Sequence, residues 1–192
     1  MTRLATLAEI QTEVWQQLER AAHDKQHGWR TAVLATVDGE AADARTVILR
    51  EVDPRQKQLI TFSDDRAGKV AQLLKHPRGT VVMWSALLGW QLRCRVLLSL
   101  EMTGLAATSR WASVKLTPAA QDYLARLPPG TPLNAPQGKR APVASPPAPE
   151  PLTREYFAVI SAQVVGLDWL ELHAEGHRRA IFDDQGARWV QP

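Results

Sequence analysis

Leu4, Leu7, Ile10, Val14 and Leu18 recur at spacings of three and four, the period of one apolar helix face. Thr6, followed three residues later by Glu9, supplies a capping box for its start. Past the polar turn HDKQHG the pattern changes to β-branched runs: WRTAVLATV, then DGE, then ARTVILREV. Two such runs about an Asp-Gly predict a hairpin. DPRQKQ is a second turn, LITFS a third strand, and DDRAGKVAQLLKHP a short helix that Pro77 ends and Ser63 or Asp64 is expected to cap.

GTVVMWS and QLRCRVLLSLEM form a further strand pair through ALLGW. Alternation in the second puts Gln91, Arg93 and Arg95 on one face and Leu92, Cys94 and Val96 on the other. SRWASVKLTPAAQDYLARL reads as helix. Composition then shifts: residues 128–151 hold nine of the 13 prolines, and such a tract is expected to run extended over the surface as an insertion. YFAVISAQVVGLDWLELH, GHRRAIFDD and ARWVQP supply two or three closing strands, with Gly166 and Gly176 as bulge or turn points. About seven mostly sequential, antiparallel strands with three helices predict a mainly β fold, a β-barrel decorated by α-helices.

Length and composition narrow the functional classes. The 192 residues suit one domain with an inserted loop. The formal charge of +3 is too small to argue for nucleic acid as a partner. Cys94 is the only cysteine, which excludes an internal disulfide and a cysteine zinc site; a small buried hydrophobe is expected there, with a reactive thiol as the alternative. No apolar run approaches the ~18 residues of a membrane span and the N-terminus lacks a signal-peptide core, so the cytoplasm is the expected location. His173 and His177 are four apart but on a strand-like stretch, and no metal site is expected there.

The chemistry concentrates between Ala44 and Gly79. Arg45 and Arg50 bracket one strand, while Arg66 and Lys69 stand at a helix start. A helix N-terminus offers unpaired N–H groups and partial positive charge, so the cluster fits a terminal phosphate. The residues alone also allow ordinary solvated surface charge.

RTVILR, FSDDRAGK, HPRGTVVMW and WQLRCRV, in this order and spacing, resemble the motifs of the pyridoxamine 5'-phosphate oxidase-related flavoproteins. The likeness covers residues 28–105 well and resumes weakly near Trp169 and Arg179. It implies an FMN-binding split barrel working as a homodimer with FMN at the interface. It also implies an FMN site made by Arg45, Thr46, Val47, Ile48, Arg50, Phe62, Ser63, Arg66, Lys69 and Gln91, with Trp169 and Arg179 contributed by the second subunit. Arg50 stands where the family usually has lysine, and the family's C-terminal Arg-Leu-His is matched by Glu175, Gly176 and His177. The family's helical aromatic, arginine and serine are not recognisable in TSRWASVKLTPAAQDY. Arg50 and His177 remain as candidate substrate contacts, and oxidation of pyridoxamine or pyridoxine phosphate is not expected. The resemblance therefore implies an FMN-dependent oxidoreductase of open substrate. The alternative is a non-catalytic FMN-binding protein for storage or sensing.

Overall fold

The computed structural model describes residues 3–124, 127–133 and 156–192. Its first helix, α1 (Leu7–His23), carries the expected capping box: Thr6 Oγ1 accepts from the Glu9 N–H, and the Glu9 carboxylate accepts from the Thr6 N–H at 2.9 Å. The strands are β1 (Thr31–Asp38), β2 (Ala41–Ile48), β3 (Glu51–Asp53), β4 (Gln58–Asp64), β5 (Arg78–Ser85), β6 (Trp90–Glu101), β7 (Phe157–Glu171), β8 (Arg178–Asp183) and β9 (Gly186–Val190). Helix α2 spans Gly68–Lys75 and α3 spans Gly104–Val114. A 3-10 helix at Pro118–Tyr123 follows, so the run read as one helix breaks at a proline.

The nine strands among the described residues join one antiparallel sheet in the order β2-β1-β5-β6-β7-β4-β3, with β8 on β7 and β9 on β8. The predicted β1–β2 hairpin turns at Gly39, whose φ of +61° suits glycine. Strand β7 pairs β6 along its length, β4 through its first half (Phe157–Gln163) and β8 through its second (Leu167–Glu171). Gly166 lies opposite the register shift at Arg95/Val96, and Gly176 turns β7 into β8 with φ +108°. Both were expected as irregular points.

The sequence run ARTVILREV is not one strand. At Leu49 the backbone N–H still donates to Arg30 on the β1 side (2.9 Å), whereas the next N–H, of Arg50, donates to Ile60 of β4 (2.9 Å). The chain changes partner within one residue, and this crossing brings the two ends of the strand order together as a barrel. Arg50 sits at the seam.

Two cores follow from the alternation. The barrel interior holds Leu34, Val47, Leu59, Val81, Met83, Leu92, Cys94 and Trp169, with Ile10, Val14 and Leu18 of α1 and Leu73 of α2 packed against them. A smaller cluster outside the barrel joins Ile60 and Phe157 to Trp111, Ala107 and Tyr123. Thus even-numbered Ile60 and Phe62 of β4 face α3, and odd-numbered Leu59, Thr61 and Ser63 face the barrel. No helix among the described residues is long and apolar enough to cross a membrane. The proline-rich segment predicted at 128–151 falls largely outside the described residues, and at 127–133 the chain has no regular structure.

Candidate functional site

Helix α2 begins later than expected. Ser63 and Asp64 stay in β4, paired with Ala158 and Phe157, so neither caps the helix. The N-cap is Ala67, which has no capping side chain. The first-turn N–H groups are therefore left without a side-chain acceptor. Arg66 lies outside the helix and does not share a helical face with Lys69. Its Nε and Nη2 both donate to Asp64, at 3.0 and 2.6 Å, and its guanidinium lies 3.3 Å over the Tyr156 ring. Ser63 is buried, and its hydroxyl donates to the Asp64 carbonyl at 2.9 Å.

Arg45 projects inward from β2, on the same face as Val47, towards α2. Four of its donors are spent. Nη1 donates to the Leu34 carbonyl (3.1 Å) and Thr36 Oγ1 (2.5 Å); Nη2 donates to Gln72 Oε1 (2.7 Å) and to the Asp43 carboxylate. The Gln72 amide donates in turn to Asp43 at 2.8 Å, and this bond, with Arg45, holds the Asp43 carboxyl below its usual range. Of the guanidinium's five N–H groups only Nε–H has no partner among the described residues.

Lys69 differs. It is half-buried and has no hydrogen bond or ion pair among the described residues. Burial lowers its pKa, the nearby Arg45 lowers it further, and Asp64 opposes the shift. A desolvated cation beside a second cation, at an uncapped helix start, is the environment that an anion relieves. A phosphate monoester fits this donor set. The neighbouring Asp65 is the counterweight: one carboxylate oxygen is buried without a partner among the described residues, and burial, with Asp64, raises its pKa.

On the other face of β4 lies an open groove of about 650 Å³, lined by Arg50, Glu51, Phe62, Leu105, Ser109, Arg110 and Val114 among others. Phe62 stands edge-on to Phe157, with ring centroids 5.0 Å apart, and the Arg50 guanidinium lies 5.7 Å from the Phe62 centroid. Burial raises the pKa of Tyr123, and the nearby Arg50 opposes the shift. Helix α3 carries Arg110 into the same groove, where it forms a two-pronged pair with Glu51 (Nε at 3.0 Å, Nη2 at 2.8 Å). Neither Arg110 nor Glu51 was singled out from sequence. The signal was an arginine flanked by Ser109 and Ser113 on an amphipathic helix, but its partner lies 59 residues away.

The remaining expected residues are scattered. Thr46, Ile48 and Gln91 point to the outer face of the sheet, opposite Arg45. One row of that face runs Trp84–Gln91–Leu170–Arg179 across β5 to β8. Arg179 is held there by both oxygens of Asp168, at 2.9 and 2.8 Å. Trp169 points the other way. It is fully buried in its own subunit, 5.3 Å from the Trp90 ring, which corrects the expectation that it reaches a partner's site. Trp111 is also buried within the protomer. His177 lies on the exposed β7–β8 turn, its Nδ1 accepting from the His173 N–H at 3.2 Å, and Glu175 faces Arg3 at 4.0 Å. Neither lines the Arg50 groove.

Residues 12–98 match the family described as "Pyridoxamine 5'-phosphate oxidase, FMN-binding domain". No curated protein sequence shows significant similarity to the chain. Among solved structures, a pyridoxamine 5'-phosphate oxidase-related, FMN-binding protein from Nostoc punctiforme PCC 73102 is 21% identical, with all of both chains covered and a TM-score of 0.70. PhzG from Burkholderia lata 383, solved with tetrahydrophenazine-1-carboxylic acid, is 11% identical over 96% of this chain and 92% of its own, with a TM-score of 0.69. A protein of Clostridium acetobutylicum related to general stress protein 26 is 8% identical over 92% and 96% of the two chains, with a TM-score of 0.56. At these identities the likeness is one of fold, the split barrel.

Proposed function

Because residues 12–98 match the pyridoxamine 5'-phosphate oxidase FMN-binding domain family, we propose that the chain belongs to that family, takes FMN as its cofactor and is an FMN-dependent oxidoreductase acting on a small molecule. When bound, FMN supplies the electron-transfer chemistry, and the protein supplies position and charge. The observation that carries this reading is Lys69, a half-buried cation without an ion-pair partner among the described residues, at the uncapped start of α2. In this reading Lys69 and the first-turn N–H groups of α2 hold the phosphate. Arg45 adds its remaining Nε–H, and Ser63 and Arg66 shape the rim. Strand β2 ends the strand order, so one side of its backbone, at Thr46 to Ile48, is not spent on a neighbouring strand among the described residues and can meet the flavin ring.

The second part of the reading is a homodimer. Gln91 and Arg179 lie on the sheet face opposite Arg45, so one flavin cannot meet all three within one protomer. That outer face also exposes Val33 (40%), Trp84 (45%) and Leu97 (40%) on β1, β5 and β6. A second copy seated on these strands covers the apolar surface and carries Gln91 and Arg179 to the flavin edge. The groove at Arg50 and Phe62 then takes the second reactant, since Arg50 follows the β2 edge at Thr46 to Ile48 by two residues.

The test is reduction of the FMN-loaded protein under anaerobic conditions. Bleaching of the flavin's visible band by a nicotinamide donor or an oxidisable small molecule, followed by reoxidation on admitting oxygen, is the expected result. A flavin that no such donor bleaches, while dithionite does, would place the protein with flavin storage or sensing.

A further inference from the structure

We propose that the groove between β4 and α3 binds an apolar molecule bearing one negative charge, a carboxylate, and that Glu51 sets this selectivity by neutralising Arg110. The proposal rests on the reading of this groove as the second-reactant site of a flavoprotein.

Among the described residues, three fixed charges line the groove: Arg50, Arg110 and Glu51. Glu51 fills the fork of Arg110 through contacts at 3.0, 3.0 and 2.8 Å, and Arg110 Nη1 turns back to the Ala106 carbonyl at 3.4 Å. Little of that guanidinium is left for a ligand. Arg50 has no ion pair among the described residues and lies 5.7 Å from the Phe62 ring centroid. One cation is therefore available. Attraction to a single cation grows in proportion to the ligand's charge, whereas the cost of desolvating the ligand grows with its square. A monoanion is matched, and a phosphate dianion needs the second cation that Glu51 holds. The rest of the lining suits an apolar body: Phe62, Leu105 and Val114. The Ser109 hydroxyl donates to the Ala106 carbonyl at 3.2 Å, so what it offers a ligand is an acceptor lone pair. The device is local to this chain's groove and independent of Glu175, which sits on a distant turn.

The experiment compares 2-naphthoate with 2-naphthyl phosphate, which share one ring system and differ in head-group charge. Each is titrated into the FMN-loaded full-length protein at a pH above the phosphate's second ionisation, about 6. Tryptophan and flavin fluorescence give the two dissociation constants and the flavin response. The expected result is naphthoate binding at least tenfold tighter than the phosphate. Glu51→Gln should reverse that order, and Arg50→Gln should weaken naphthoate at least tenfold. Glu51 is a part-exposed side chain, so its substitution does not threaten the core. Equal or better binding of the phosphate to the unaltered protein, an unchanged ratio in Glu51→Gln, or no binding of either probe up to millimolar concentration overturns the proposal. Selectivity as expected, but with no change in the flavin signal, would leave the charge device standing and refute the placement of the groove beside FMN.

Discussion

Two cations that sequence treats alike, Arg45 and Lys69, have different neighbourhoods, and their substitutions should separate. Lys69 has no hydrogen bond or ion pair among the described residues, so under the proposed reading Lys69→Ala removes only its contact with the FMN phosphate. The loss of a charged hydrogen bond, roughly 1.5–3 kcal/mol, corresponds to about 10- to 150-fold weaker FMN binding. The stability of the flavin-free protein should hold or rise, because a desolvated charge has gone. Arg45→Ala strands Gln72, Thr36 and Asp43 as well, so it should cost about 1–3 kcal/mol of stability in addition to cofactor affinity. Urea unfolding of both flavin-free variants checks the split. Arg188→Ala, whose partner is Asp183 on the β8–β9 hairpin, should leave FMN affinity unchanged. Thr61 offers a converse case. Its hydroxyl is buried without a partner among the described residues, facing Leu34, Val47, Leu59 and Val81 inside the barrel. Thr61→Val should stabilise by about 1 kcal/mol, raising Tm by roughly 2–4 °C in a chain of this size.

Elements differ in how far the sequence announced them. α1 was legible because its period and capping box are local, and the β1–β2 hairpin because Asp-Gly fixes its turn. The break at Leu49 and Arg50 was not: both sides of it are strand-formers, and the switch of partner from β1 to β4 is decided by barrel closure. The start of α2 was misplaced because β7 pairing holds Ser63 and Asp64 in strand, which no local signal reports. Trp169 could have been placed in the core, since Leu167, Trp169 and Glu171 alternate with Asp168 and Leu170 and share the inward face. Arg110 was visible as a residue but not as a groove residue, because Glu51 meets it only through the tertiary fold. α1 also carries a pH-dependent anchor. His27 Nδ1 accepts the Trp29 N–H (3.1 Å), which leaves the proton on Nε2 facing Gln17 Oε1 (2.8 Å). Burial lowers the His27 pKa below 6.5. The unfolded chain therefore takes up a proton first as pH falls, and the stability from this anchor is full above about pH 6.5 and lost as pH drops through the lower folded value. Melting curves at about pH 7.5 and 5.5 should show a steeper loss in the unaltered protein than in His27→Gln.

At the scale of the molecule, the account requires two copies. Val33 lies on the outer face, in the row Thr46–Val33–Val82–Arg93. On a free surface Val33→Glu would change stability by no more than about 0.5 kcal/mol. On a covered face it buries a charge, and the variant should sediment as a monomer with much-reduced FMN content. A dimer unaffected by Val33→Glu would remove this face from the interface.

The central claim is that the flavin is gripped by its phosphate at Lys69. Dissociation constants for FMN and for riboflavin, which differ only in that phosphate, measured on the unaltered protein and on Lys69→Ala, test it most directly. The account predicts FMN binding at least tenfold tighter than riboflavin, with the gap shrinking by at least tenfold in Lys69→Ala while riboflavin affinity stays the same. Equal affinities in the unaltered protein, or a gap that survives the loss of Lys69, would contradict it.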